Sequence, residues 1–254
     1  MAIDTSKPHI GRIYDFMLGG HHNYEVDRQA AAAILKIVPT YPKWARANRW
    51  FLQMVASEWQ TQGVERVLDL GTGLPTEGHF NDILPDAQIL FTDNDEVSVA
   101  YGEEMLRERP TMAYRCADIA NPETLIKAMS GFFGDDRVIA IGCIGLAYMV
   151  PDAALIALFR ALHEWSRPGS VMAVTYGAGI EGAEGQADAS LEAFRRQAGV
   201  QMHVRSHQGF AALAAPWRLR ETKSLPEWLG VPDMFSDEEM RRTGGYLAGA
   251  YFER

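Results

Sequence analysis

Leu68-Asp69-Leu70-Gly71-Thr72-Gly73 decides the fold of this 254-residue chain. A short apolar run carrying one acid ends on two glycines a residue apart, the pattern of a strand that turns sharply at its end. Gly71 and Gly73 have no Cβ, so the backbone can turn tightly there and a ligand can approach it. Working outward, short apolar runs alternate with helical stretches, the signature of parallel strands joined by crossover helices. The predicted strands are Arg66 to Leu70, Gln88 to Thr92, Met112 to Cys116, Val138 to Cys143 and Ser170 to Thr175. Leu155, Leu158, Phe159, Leu162 and Trp165 mark a helix between the last two, and Pro168-Gly169 makes the turn after it.

The expected fold is therefore α/β, a doubly wound Rossmann-like sheet. Arg218 to Lys223 and Tyr246 to Phe252 are candidates for two final strands, the last antiparallel. Upstream of the sheet, Asp27 is placed to cap a helix through Ile34, Leu35 and Val38 that ends at Pro39. A second helix starts near Pro42, carries Trp44, Ala47, Phe51, Met54 and Val55 at helical spacing, and stops before Gly63. Residues 1–63 thus read as a helical cap belonging to the same domain as an α/β core over 64–254. Gly177 to Asp188, rich in glycine and alanine, reads as a mobile loop at the sheet's carboxyl edge.

Composition narrows the function classes. With 24 Lys plus Arg against 33 Asp plus Glu, the net charge is −9, which argues against an unassisted grip on nucleic-acid phosphates or anionic lipid. The longest apolar stretch, Val138 to Val150, contains two glycines and falls short of the ~20 residues that cross a bilayer. The polar start, with Asp4, Lys7 and His9, lacks the apolar core of a signal peptide, so a cytoplasmic location is expected. Cys116 and Cys143, far apart in strand-like runs, suit reduced core thiols, and no metal site is expected.

Three acids stand at successive predicted strand ends: Asp69, Asp93 and Asp118. Neighbouring parallel strands bring such ends together, so Asp93 can accept hydrogen bonds from a ribose diol and Asp118 can meet an adenine amine. A dinucleotide site also has a glycine turn and a ribose acid. It needs a third small residue where Thr76 stands, and it puts a pyrophosphate on the helix N-terminus. The charge of Asp69 opposes a pyrophosphate and suits an amino-acid ammonium, which favours S-adenosylmethionine. The plainer alternative for the glycines alone is an ordinary strand-to-helix turn.

Longer motifs add a resemblance. Arg12-Ile13-Tyr14-Asp15-Phe16-Met17-Leu18-Gly19-Gly20, Asn23, Asp27-Arg28 and Ala45-Arg46-Ala47-Asn48-Arg49 precede Leu68 to Thr76 (LDLGTGLPT), Asp93-Asn94-Asp95 and Ala117-Asp118. Together they resemble a bacterial S-adenosyl methyltransferase family with an N-terminal Tyr-Asp-x-x-Leu-Gly-Gly signature, a branch of the class I methyltransferases. The resemblance implies a cofactor pocket closed by the N-terminal segment. It points to Gly71, Gly73, Asp93 and Asp118 as cofactor residues, with Tyr14, Gly19, Gly20 and Arg46 or Asn48 near the methionine end. Asp69, Thr72, Asn94, Ile119 and Cys143 are expected as further contacts at the same strand ends. Relatives often carry Leu-His-aromatic after the fourth strand, where this chain has Leu146-Ala147-Tyr148.

The expected activity is transfer of a methyl group to a small molecule, with neither nucleic acid nor membrane as partner. The candidates for proton handling are His21, His22, His79, Tyr148 and Asp152. Plainer readings stand beside them. His21-His22 suits a solvated pair, Trp44, Trp50 and Trp59 suit helix packing, and Arg46 and Arg49 suit surface ion pairs. The acidic run Asp237-Glu238-Glu239 suits a solvated helix start. A non-catalytic cofactor-binding or partner-binding module, and a reaction of the same cofactor other than methyl transfer, remain open as alternatives.

Overall fold

The computed structural model describes residues 6–74 and 78–254. Asp4 and Thr76 lie outside the described residues. Three helices come first: α1 (Ile10–Met17), α2 (Glu25–Leu35) and α3 (Tyr41–Thr61). The chain then alternates through β1 (Arg66–Leu70), α4 (Phe80–Ile83), β2 (Gln88–Asp93), α5 (Glu96–Met105), β3 (Met112–Cys116), α6 (Pro122–Phe133), β4 (Ala140–Cys143), α7 (Asp152–Trp165) and β5 (Val171–Gly179). It ends with α8 (Glu184–Ala198), α9 (His207–Leu213), β6 (Arg218–Ser224), α10 (Leu225–Trp228), α11 (Asp237–Thr243) and β7 (Gly245–Glu253).

The seven strands order as β3-β2-β1-β4-β5-β7-β6. β1 to β5 are parallel, and β7 runs antiparallel between β5 and β6. The strand order reverses between β1 and β4, and in open α/β sheets a ligand crevice forms outside the carboxyl ends at such a point. Along β1 the pleat sends Leu68 and Leu70 into the core under α6 and α7, and Val67 into the core under α3, α4 and α5. Both faces are covered, which is why the central strands read as near-continuous apolar runs.

A third, smaller core joins α1, α2 and the start of α3 through Ile13, Met17, Ile34 and Tyr41, with Phe194 of α8 packed in. α1 escaped the sequence reading because it has little local signal: it is short, holds Gly11 inside it, and His9 before it makes no side-chain cap. What holds it is tertiary. Arg12 pairs with Asp27 at 2.8 Å, and Asp27 is fully buried.

Several expectations are corrected. Asp27 is not the cap of α2: the helix begins at Glu25 after Tyr24, and Asp27 in its first turn accepts from the Tyr24 N–H, the His9 N–H and Arg12 Nε. The helix also stops at Leu35, short of Val38. Gly177 to Asp188 is not one loop but the end of β5, a short turn and the start of α8. The glycines in its strand part reflect close packing, since a Cβ would lie 2.8 Å from the His203 carbonyl oxygen at Gly177 and 3.0 Å from Val204 Cγ1 at Gly179. Cys116, at the end of the edge strand β3, is exposed rather than a core thiol, while Cys143 is buried. Trp44 and Trp59 pack inside, but Trp50 is 44% exposed.

Candidate active site

The tips of β1, β2 and β3 build one wall. Gly71 and Gly73 both have positive φ, 64° and 66°, which turns the chain back across the strand ends. The turn is fastened by the Thr72 N–H to the Thr92 carbonyl at 3.0 Å and by the Gly73 N–H to Asp93 Oδ2 at 2.7 Å. Asp93 Oδ1 takes the Asp95 N–H at 2.9 Å. Each carboxylate oxygen keeps a lone-pair direction free for a second donor. Burial raises the Asp93 pKa against these backbone bonds. Tyr114 donates its hydroxyl to the Gly73 carbonyl at 2.6 Å, and burial, followed by the nearby Asp93 and Asp69 charges, keeps that phenol protonated.

α1 and α3 form the opposite wall, tied to the sheet by one chain of hydrogen bonds. Tyr14 Oη donates to the Ala45 carbonyl at 3.1 Å and accepts from Asn48 Nδ2 at 3.1 Å. Asn48 Oδ1 accepts from Thr175 Oγ1 at 2.8 Å, and that hydroxyl in turn accepts the Gly145 N–H at 2.7 Å. The helical cap is thereby locked to the middle of β5 and the turn after β4.

Between the walls lies a cavity of about 460 Å³, within the ~300–1,000 Å³ typical of small-molecule sites. Of the residues expected from sequence, it brings together Tyr14, Asn48, Gly71, Thr72, Gly73, His79, Asp93, Asn94, Asp118, Ile119 and Tyr148. Gly19 and Gly20 instead shape the turn after α1: Gly19 has φ 84°, and a Cβ on Gly20 would strike the Asp15 carboxylate. Arg46 points outward and is exposed, as are His21 and His22. Cys143 is sealed in the core, where burial pushes its thiol up to about 12. Asp152 lies off this cavity and pairs with Arg205 at 2.8 Å.

Asp69 is 2% exposed and does not line the cavity. It lies across Gly142 of β4, 3.2 Å from where a Cβ would stand, with His79 Nε2 at 3.8 Å from its Oδ2. Burial raises its pKa to about 7, and the same burial lowers that of His79, whose Nδ1 accepts the Phe80 N–H. Ala147 has its side chain fully buried in the core and its carbonyl held by Arg205 at 3.0 Å. Position 147 does not line the cavity. Burial also keeps the Tyr148 phenol protonated, so it is a donor and not a base.

Sequence reasoning missed Asp15, His9, Gly145 and Met202, all of which line the cavity. Asp15 was in view within the Tyr-Asp-x-x-Leu-Gly-Gly motif, but its place appears only when α1 folds over the strand tips. Its Oδ2 takes the His22 N–H and Asn23 Nδ2, while Oδ1 is buried without a hydrogen-bond partner.

The sequence model for S-adenosyl methyltransferase matches residues 1–222. The chain belongs to the S-adenosyl methyltransferase family. Among solved structures it is similar to a DUF574 family protein from Streptomyces avermitilis, with 24% identity, TM-score 0.85 and full coverage of both chains. A candidate methyltransferase from Thermobifida fusca is 24% identical over 99% of this chain and 97% of its own, with TM-score 0.83. The fold extends to magnesium protoporphyrin IX methyltransferase from Synechocystis, a structure with bound S-adenosylhomocysteine, at 11% identity, 95% and 93% coverage and TM-score 0.57. None of the curated proteins matches significantly. The chain is an S-adenosylmethionine-dependent methyltransferase on a Rossmann-like sheet. No helix among the described residues is long and apolar enough to cross a membrane.

The residues fit the cofactor. Asp93 offers two oxygens with spare acceptor capacity for a diol, and Asp118 and half-buried Ile119 stand at the next strand tip. The unpartnered Asp15 Oδ1 suits a cationic group, because a buried carboxylate oxygen without a donor is costly.

Proposed function

We propose that this methyltransferase is a cytoplasmic bacterial enzyme that holds S-adenosylmethionine between the β1–β3 tips and the cap and methylates a small-molecule acceptor. In this reading residues 1–63 cap the core over 64–254 within one domain. The observation that carries it is that Asp93 and Asp118, on successive strand tips, face one cavity roofed by α1 and α3.

Asp93 would hold the ribose, Asp118 and Ile119 the adenine, and Asp15 the amino group. Bound S-adenosylmethionine supplies a methyl group already activated on sulfur. The chain's own task is positioning: Tyr14, Asn48 and Thr175 fix the roof over the cavity. Such orientation supplies ~7–11 kcal/mol of a barrier, more than the ~3–5 kcal/mol of a general base. Catalysis here therefore does not require Tyr148 to ionise.

S-adenosylhomocysteine at 100 times its Kd should stabilise the chain by ~2.7 kcal/mol, read as a rise in melting temperature. Stabilisation by NADH and none by S-adenosylhomocysteine would sink the assignment.

A further inference from the structure

Beside the cofactor cavity lies a smaller one of about 100 Å³, bounded by α3, α8, β5 and β7. Tyr41, Tyr148 and Met202 line both, so the two spaces adjoin at these side chains. Trp44, Leu191 and Phe194 make the small pocket apolar, and among the described residues no Asp, Glu, Lys or Arg lines it. Three of its hydroxyls have partners: Ser190 donates to the Thr243 carbonyl at 3.0 Å, Thr243 to the Glu239 carbonyl at 2.9 Å, and Tyr246 lies 3.1 Å from His207 Nε2.

His203 differs. Its Nε2 is buried without a hydrogen-bond partner, a state that costs ~1–3 kcal/mol unless a ligand group relieves it. Burial and the adjacent Arg205 lower its pKa, so the imidazole is neutral near neutral pH.

We propose that this pocket receives the apolar end of the methyl acceptor, which is an uncharged molecule bearing one ring-sized group and a hydroxyl-type handle for His203. The inference rests on the larger cavity being the cofactor site. The volume is of the order of the ~150 Å³ apolar cavity that takes up benzene in another protein, so about one ring fits. A carboxylate or phosphate at this end has no cation to meet, and burying it unpaired is strongly unfavourable. The shared wall of Tyr41, Tyr148 and Met202 leads from this pocket to the cofactor.

The test uses the full chain saturated with S-adenosylhomocysteine, which fills the larger cavity, and saturation-transfer NMR with phenol and with benzoate. Phenol should receive saturation and benzoate should not. Leu191→Trp, which fills the pocket, should weaken phenol at least tenfold, and Leu191→Phe should weaken it less. Calorimetry should show S-adenosylhomocysteine binding both variants within twofold of the parent, which also reports that they fold. Equal binding of benzoate, or phenol binding untouched by a folded Leu191 variant, overturns the inference. If neither variant folds, the phenol and benzoate contrast on the parent chain decides alone. Failure of the parent chain to bind S-adenosylhomocysteine overturns instead the reading of the larger cavity.

Discussion

The two walls of the cavity are built in different ways. On the β1–β3 side, every group is placed by a strand end and the turn after it: the Gly73 N–H reaches Asp93, and Ala117 N–H bonds the Asp93 carbonyl. On the cap side, Asn48 bonds Thr175 across 127 residues of sequence, and Tyr14 bonds the Ala45 carbonyl across 31. The first wall is local geometry repeated along a parallel sheet. The second exists only once distant segments have met.

The cap should be broken most severely by Asp27→Ala. It leaves Arg12 buried without its carboxylate and strips acceptors from the His9 and Tyr24 N–H groups. Breaking a buried pair costs ~3–5 kcal/mol, to be read from chemical denaturation. On the strand-tip wall, Asp93→Ala should weaken S-adenosylhomocysteine about 100-fold by calorimetry, since hydrogen bonds to a charged group are worth ~1.5–3 kcal/mol. A loss of less than threefold would remove Asp93 from the ribose site.

Gly71→Ala and Gly73→Ala sharpen the contrast within one turn. Both place a Cβ at positive φ, at a cost of ~1–2 kcal/mol. At Gly71 the new atom would also lie 2.7 Å from Leu146 Cδ2, while at Gly73 no described atom lies within 4 Å. Gly71→Ala should therefore have the lower melting temperature of the two. Asn48→Ala should cost ~1–3 kcal/mol by leaving the Thr175 hydroxyl without its acceptor, and equal stability to the parent would deny the roof its lock.

A pH slope probes the strand-tip side independently. Asp69 keeps its proton up to about pH 7 in the folded chain, whereas the unfolded chain releases it in the ordinary aspartate range. Its contribution to stability is complete below that range and is lost as pH rises through it to about 7. D69N should flatten that fall in urea midpoints measured from pH 4 to 7. An unchanged slope would contradict the burial of this carboxyl.

These contrasts explain what the sequence made legible. β1 and β3 were read to the residue and β2 to within one, because each is a short apolar run closed by a turn, and the acids at their ends could be numbered from that pattern alone. Asn48 was named with Arg46 as its rival. Only the packed α3 turns Asn48 inward and Arg46 outward. α1, Asp15 and Met202 have no local signal comparable to a glycine turn, since their positions come from packing against α2, α8 and the strand tips. The glycines near 177 misled for a related reason: small side chains mark close approach as readily as mobility.

The most direct test is a crystal structure with S-adenosylhomocysteine bound. The account predicts ribose hydroxyls on Asp93, adenine beside Asp118 and Ile119, and the amino group near Asp15 under the Tyr14–Asn48 roof. A nucleoside lying outside this cavity, or inside it with Asp93 facing away from the ribose, would contradict it.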